Sequence, residues 1–389
     1  MKFDFDKLTD RRGTSSLKWD VAEGELAMWV ADMDFETAPA VKAAIEERAK
    51  GGIFGYATVP DEFFLSVSKW WKTRHGVDFA PENMVYSNGI VAAISSAVRK
   101  FTSPAESVLI QPPVFNIFYN SILNNGRRVL ESELVYEGGE YRVDFSDLEE
   151  KLSRPETTMM ILCNPHNPVG KIWSREELSK IGELCKKYSV TVISDEIHCD
   201  IVEPGREYVP FAAASEVCAD ISVSCLSASK TFNLAGLQSA CLVAKNPSLR
   251  YKIWRAVNTD EVGEPNIFAM SANIAAFSEG GEWCDALNEY ISENKRIARE
   301  YIAEHIPALH VPTSEATYLL WVDISNYSTD SVDFCKRLRE ATGLYLSDGE
   351  EYGGNGASFV RINLGTQRSR VLDGLERLKN FCIQHEKTK

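Results

Sequence analysis

Lys230 sits in the run Ser227-Ala228-Ser229-Lys230-Thr231-Phe232-Asn233, 35 residues beyond the aspartate of Ser194-Asp195-Glu196-Ile197-His198. Upstream of both lies Asn164-Pro165-His166-Asn167-Pro168-Val169-Gly170. An amine can hold an aldehyde covalently, and a carboxylate can keep a ring nitrogen protonated so that the ring accepts electrons. Pyridoxal phosphate chemistry makes both demands, and Lys230 and Asp195 suit them. Taken singly, each signal has a plainer reading: a solvated loop lysine, a strand-capping aspartate, a turn rich in Asn, Pro and Gly. Their order, and their shared position just past apolar runs of strand length, joins them into one set.

Those runs are Val108–Ile110, Met159–Cys163, Val190–Ile193, Ile221–Cys225 and Ala240–Ala244. Continuous rather than alternating hydrophobicity fits a mostly parallel sheet covered on both faces. Between two of the runs, Ser174-Arg175-Glu176-Glu177 reads as a capping box opening a helix to about Tyr188. In open α/β sheets ligands collect beyond the carboxyl ends of the strands, so Asn167, Asp195 and Ser227 to Lys230 are expected around one cleft. Another helix should begin after Ser87-Asn88-Gly89-Ile90-Val91, where free amides and the helix dipole favour a phosphate and Gly89 lets the backbone come close. Toward the carboxyl end, residues 317–323 and 358–364 read as strands, and 331–341 and 367–384 as helices. This is the pattern of a small α+β domain, set off near residue 280 by Glu279-Gly280-Gly281.

With 389 residues and 44% hydrophobic content the chain can bury a substantial core. A formal charge of -14 argues against a nucleic-acid footprint, which needs clustered Lys and Arg. Nine scattered cysteines show no zinc-ligand spacing and read as reduced thiols, so no metal is expected. Met1 to Lys7 holds no apolar signal core, and no segment approaches the roughly 20 apolar residues of a membrane helix. A cytoplasmic protein with no membrane partner is expected.

Several longer strings carry a resemblance: Ser16-Leu17-Lys18-Trp19-Asp20, Trp29-Val30-Ala31-Asp32-Met33-Asp34-Phe35, Phe54-Gly55-Tyr56, Cys163 to Gly170, Ser194 to Cys199, Ser229 to Leu237 and Arg361-Ile362-Asn363-Leu364. Nearly end to end, the chain resembles the aminotransferase class I/II branch of fold-type I pyridoxal phosphate enzymes, and within it the MalY/PatB/cystalysin-like cystathionine beta-lyase group. The resemblance implies an α/β fold with a large, mostly parallel seven-stranded sheet domain and a smaller α+β C-terminal domain. It divides the chain into an N-terminal segment 1–44 packing with the small domain, a cofactor-binding domain 45–280 and a small domain 281–389.

The resemblance also assigns roles. Lys230 would carry pyridoxal 5'-phosphate and then move the substrate Cα proton, while Asp195, ionised across the working pH by a nearby cation, would face the ring nitrogen. Asn167, rather than Asn164, would bond the phenolic oxygen, with His198 where aminotransferases usually have a tyrosine. Gly89, Ile90, Val91, Ser227 and Ser229 would surround the phosphate, Arg361 would grip the substrate α-carboxylate, and Tyr56 would reach the neighbouring subunit's phosphate in a homodimer.

Two positions depart from the group. Phe115 follows Gln111-Pro112-Pro113-Val114 where a ring-stacking tyrosine is common, and Asn116 stands where some relatives have a second tyrosine. A flat apolar face keeps the stacking platform; the hydroxyls are lost. The run Leu234 to Gln238 also lacks the arginine that many aminotransferases carry after the lysine. The expected function is a carbon–sulfur β-lyase cleaving cystathionine or related cysteine conjugates. The rivals are an aminotransferase and a cofactor-carrying regulatory protein.

Overall fold

The structure is a computed structural model that describes residues 3–384; residues 1–2 and 385–389, the outer ends of segments 1–44 and 281–389, lie outside the described residues. Its strands run in chain order from Leu26–Ala27 (β1), Met84–Ser87 (β2), Ser107–Ile110 (β3) and Arg128–Glu131 (β4) to a hairpin, Val135–Glu137 (β5) and Glu140–Arg142 (β6). Thr157–Cys163 (β7), Thr191–Asp195 (β8), Ser222–Leu226 (β9) and Ala240–Val243 (β10) follow. The last are Leu319–Asp323 (β11), Leu344–Tyr345 (β12), Ser347–Asp348 (β13) and Phe359–Asn363 (β14).

The five apolar runs become β3, β7, β8, β9 and β10, which join β2 and β4 in a seven-stranded sheet of order β2-β10-β9-β8-β7-β3-β4. All neighbours are parallel except β10, which runs antiparallel to both β2 and β9. β8, β9 and β10 are buried almost throughout, as expected of a sheet covered on both faces. Register decides what shares the cleft. Asp195 pairs with Cys163 on one side and Cys225 on the other, so the chain leaves three neighbouring strands at the same level. At the far edge Ala240 pairs with Ser87, which brings Gln238 beside Asn88 and Gly89.

The expected capping box is present: Ser174 and Glu177 exchange side-chain and backbone hydrogen bonds at the start of the helix Arg175–Lys187. The helix Ile90–Phe101 begins at Gly89, whose φ of +98° would strain any other residue.

Beyond the helix Gly281–His305, the order β11-β14-β13 forms a second sheet, flanked by the helices Ser331–Thr342 and Arg368–Gln384. Short β1 pairs with β12, and Leu26, Ala27 and Met28 pack with Leu344, Leu375 and Leu378. The register of β14 sets Arg361 between Trp321 and Ser347.

Candidate active site

A cavity of about 490 Å³ opens beyond the carboxyl ends of β7, β8 and β9. Lys230, Asp195, Asn167, His198, Ser229, Phe115 and the Gly89–Val91 turn all line it. A larger, more open cleft of about 750 Å³ around His75, Asp200 and Glu203 holds none of these groups.

The loop that carries Lys230 is fixed by its polar neighbours. Thr231 Oγ1 donates to Asp200 at 3.0 Å, and Asn233 Nδ2 donates to the carbonyls of Met33 and Phe35. Lys230 Nζ itself donates to the Ala31 carbonyl. Burial, seconded by the Arg361 cation, lowers the amine to about 8, although Asp32 and Asp195 pull the other way. Near neutral pH Lys230 is therefore uncharged far more often than an ordinary lysine, though still mostly protonated, and the uncharged form can attack a carbonyl or accept a proton.

Asp195 accepts from the Ile197 amide at 3.2 Å. Burial pushes its carboxyl up to about 7 against the pull of that amide and of Lys230. Glu196, buried next to it, adds a smaller push in the same direction. The sequence expectation of a permanently ionised carboxylate thus needs the cation it invoked: burial alone leaves Asp195 half-protonated near neutrality. Glu196 turns away from the cavity and is consumed by Tyr208, Ser224 and the Phe211 amide.

Arg361, only 4% exposed, donates through Nη1 to Asn167 Oδ1 at 3.1 Å and through Nη2 to the Trp29 carbonyl at 3.0 Å. Its guanidinium lies 4.9 Å from the centre of the Tyr352 ring. A guanidinium can only donate, so the contact fixes which end of the Asn167 amide is oxygen and leaves Nδ2 as a free donor. Asn164 is spent differently, bonding the Val209 carbonyl through Nδ2. His198 lies edge-on to Tyr318 at 6.0 Å, and burial holds it far below its usual pKa, hence neutral.

Two of the sequence candidates stand apart. Ser227 lies behind Ser229, donates to the Ser239 carbonyl and accepts from the Ser229 hydroxyl. Tyr56 is fully exposed, away from this cavity. Sequence reasoning missed Ala31, Asn88 and Gln238, which also line the wall. Gln238 reaches it through a left-handed turn at φ +50°, and no residue-type signal marked that turn.

The residues present fit pyridoxal phosphate. Arg361 Nε and His198 Nδ1 are buried without a hydrogen-bond partner, which is costly unless a ligand meets them. The first-turn amides of the helix Ile90–Phe101 have no intrahelical partner, and Gly89, Ile90 and Val91 of this turn line the cavity.

The profile of the family described as "Aminotransferase class I and II" matches residues 26–378. Cystathionine beta-lyase PatB of Bacillus subtilis (strain 168) is 42% identical over 382 residues, covering 96% of this chain and 98% of that protein. Cystalysin from Treponema denticola, whose crystal structure contains a pyridoxal 5'-phosphate cofactor, superposes with a TM-score of 0.95 at 31% identity, covering 99% of this chain and 100% of that one. A PLP-bound putative aminotransferase from Clostridium difficile 630 gives 0.94 at 35% identity, covering 97% and 99%. With the profile spanning most of its length, the chain belongs to the aminotransferase class I and II family.

Proposed function

We propose that this protein is a pyridoxal 5'-phosphate-dependent carbon–sulfur β-lyase that converts cystathionine or a related L-cysteine conjugate, with water, to a thiol, pyruvate and ammonia. One observation carries the reading. A buried amine with a lowered pKa and a buried carboxylate line one cavity, a buried guanidinium is bonded to Asn167 in its wall, and the relative at 42% identity is named a cystathionine beta-lyase.

The bound cofactor supplies an aldehyde that condenses with amines and a ring that withdraws electrons from Cα. Lys230 holds the cofactor, then as a free amine takes the Cα proton, and the Ala31 carbonyl keeps it aimed. Asp195 would hold the ring nitrogen, a cation that would draw its carboxyl down and keep it charged. Asn167 Nδ2 and neutral His198 donate toward the phenolic oxygen, and Phe115 gives a flat face to the ring. Gly89, Ile90, Val91 and Ser229 would take the phosphate, with Ser227 buttressing Ser229 from behind. Arg361 forks onto the α-carboxylate, and Asn167 also borders the substrate.

We further infer a homodimer in which Tyr56 completes the neighbouring site, and a cytoplasmic location. Among the described residues no helix is long and apolar enough to cross a membrane, and all nine cysteines are buried. We divide the chain into 1–44, 45–280 and 281–389, the last boundary falling where Gly280 closes one helix and opens the next.

The test is turnover of cystathionine without a keto acid. Pyruvate, ammonia and homocysteine should appear in equal amounts. Dependence on added keto acid, with a new amino acid as product, would make the protein an aminotransferase instead.

A further inference from the structure

Phe115 and Asn116 leave the expected leaving-group side of the substrate without the hydroxyls common in relatives. Beside Asn116 the structure places an acid. Asn116 Nδ2 donates to Glu351 Oε2 at 2.6 Å, so the residue next to the ring platform is clamped to the turn Glu350–Tyr352. That turn is firmly seated. Val114 N donates to the Tyr352 carbonyl at 2.8 Å, and Ser331 Oγ accepts from the amides of Gly349 and Glu350 at 3.1 Å. Tyr352 in the same turn lies under the Arg361 guanidinium.

Glu351 therefore stands on the rim between the ring platform and the carboxylate grip. A substrate with its α-carboxylate on Arg361 and its Cα near Lys230 has to send its β-substituent out past this rim. The charges there are unbalanced. Crowding by neighbours raises the carboxyl of Glu351 and Asp348 adds to it, while Arg361 is the cation that stabilises its charge. Once a substrate carboxylate occupies Arg361, that cation is neutralised and Glu351 is left facing the β-substituent without a positive partner.

We infer that Glu351, held by Asn116, is a specificity-determining residue that selects L-cysteine thioethers whose β-substituent carries an ammonium group over neutral or anionic ones. This rests on the lyase reading above and names the substrate class for the same site. Because the rim is open to solvent, the preference is modest, about fivefold, the scale of a water-screened ion pair.

The test uses the cofactor-loaded enzyme with three probes of similar length: S-(2-aminoethyl)-L-cysteine, S-propyl-L-cysteine and S-(2-carboxyethyl)-L-cysteine. Pyruvate release should give kcat/KM falling in that order, by about fivefold from the first to the second. Glu351→Gln should level the first two, and Glu351→Lys should favour the carboxyethyl probe. Comparing substrates within one variant cancels any loss of folded protein. No preference in the native enzyme, or the same preference in Glu351→Gln, overturns the inference. If none of the probes releases pyruvate, the lyase reading fails by itself. The same ranking is then read from dissociation constants, measured by the change in cofactor absorbance on binding, and loss or persistence of the ammonium preference in Glu351→Gln decides Glu351 independently.

Discussion

Lys230 and Arg361 are tied to one short stretch of main chain: Lys230 Nζ donates to the Ala31 carbonyl, and Arg361 Nη2 to the Trp29 carbonyl two residues earlier. The rest of the stretch is equally committed. Tyr318 also donates to Ala31, Asn363 donates to Val30 and Asp32, and Asn233 donates to Met33 and Phe35. Beneath it Asp34, 1% exposed, is paired with fully buried Lys18 at 2.9 Å and accepts from the Trp19 indole at 2.7 Å. The stretch Trp29 to Phe35 is thus a strap whose backbone, more than its side chains, positions the Lys230 amine and the Arg361 guanidinium.

Arg361→Ala should weaken substrate binding by about 2–5 kcal/mol, because a buried carboxylate would lose its charge partner. It also strips Asn167 Oδ1 of its donor, so cofactor retention should fall as well. Arg361→Lys should rescue poorly, since a point charge cannot reach Asn167, Trp29 and a carboxylate together. Steady-state KM for cystathionine and cofactor dissociation by gel filtration measure the two effects. An unchanged KM in Arg361→Ala would remove it from substrate binding.

The amine of Lys230 is lowered to about 8, so only its uncharged fraction attacks the cofactor aldehyde. The rate of cofactor association with the apoprotein should rise with pH and level off above about 8, rather than climbing to the 10.5 of an ordinary lysine. Stopped-flow absorbance follows it directly. Borohydride reduction and peptide mapping should then place the pyridoxyl group on Lys230, and finding it on another lysine would overturn the site.

Asp195→Asn should keep the fold and lower kcat by about a hundredfold or more, since an amide cannot hold the ring nitrogen protonated. The sign of the pH effect follows from burial. The folded carboxyl titrates near 7, above the value of about 3.9 in the unfolded chain. Between those values the folded apoprotein binds the extra proton, so this group's contribution to apoprotein stability falls as pH rises from about 4 to about 7. A cation against Asp195 removes that loss. Thermal melts across this range should therefore show stabilisation by cofactor growing with pH in the native protein and flattening in Asp195→Asn.

Residue types mark only some of these positions. Lys230, Asp195 and Asn167 could be found because each follows an apolar run, and strand register then brought them together. The strap could be recognised only as a string. Its work is done by carbonyls, which every residue carries, so composition gives no sign of it. The pairing of Leu26–Ala27 with Leu344–Tyr345 spans two residues each, too short for any period to show. Ser227 and Ser229 are both phosphate candidates in the chain; the bond of Ser227 to the Ser239 carbonyl, and the place of Ser229 alone in the cavity wall, separate them.

Tyr56 lies fully exposed on a loop with Ile53 and Phe54, which are 75% and 58% exposed. Three such side chains within four residues suit a surface covered in a homodimer. Sedimentation should show a dimer, and Tyr56→Phe should loosen cofactor retention about tenfold without changing the sedimentation coefficient, through loss of one hydrogen bond to a charged phosphate. A fully active monomer would rule the role out.

Gly170 closes the turn that presents Asn167, and its surroundings admit no side chain. Its φ is +77°, and an added Cβ would come within 2.1 Å of Ser314 Oγ and 2.8 Å of the Ala316 carbonyl. Its own carbonyl accepts from the amides of Glu315 and Ala316, and Lys295, almost fully buried, anchors the same segment through Ser314 Oγ at 3.0 Å and the Ala316 carbonyl at 3.1 Å. Neither side can give way without breaking these bonds. Gly170→Ala should therefore cost about 1–3 kcal/mol of stability, combining left-handed backbone strain with overpacking. Because the displaced turn carries Asn167, cofactor affinity should fall with it. A conservative change nearby, Val169→Ile, should lose stability by overpacking while leaving the turn's backbone bonds in place. If Gly170→Ala melts normally and binds cofactor with unchanged affinity, the turn does not depend on this contact and Asn167 is held by Arg361 alone.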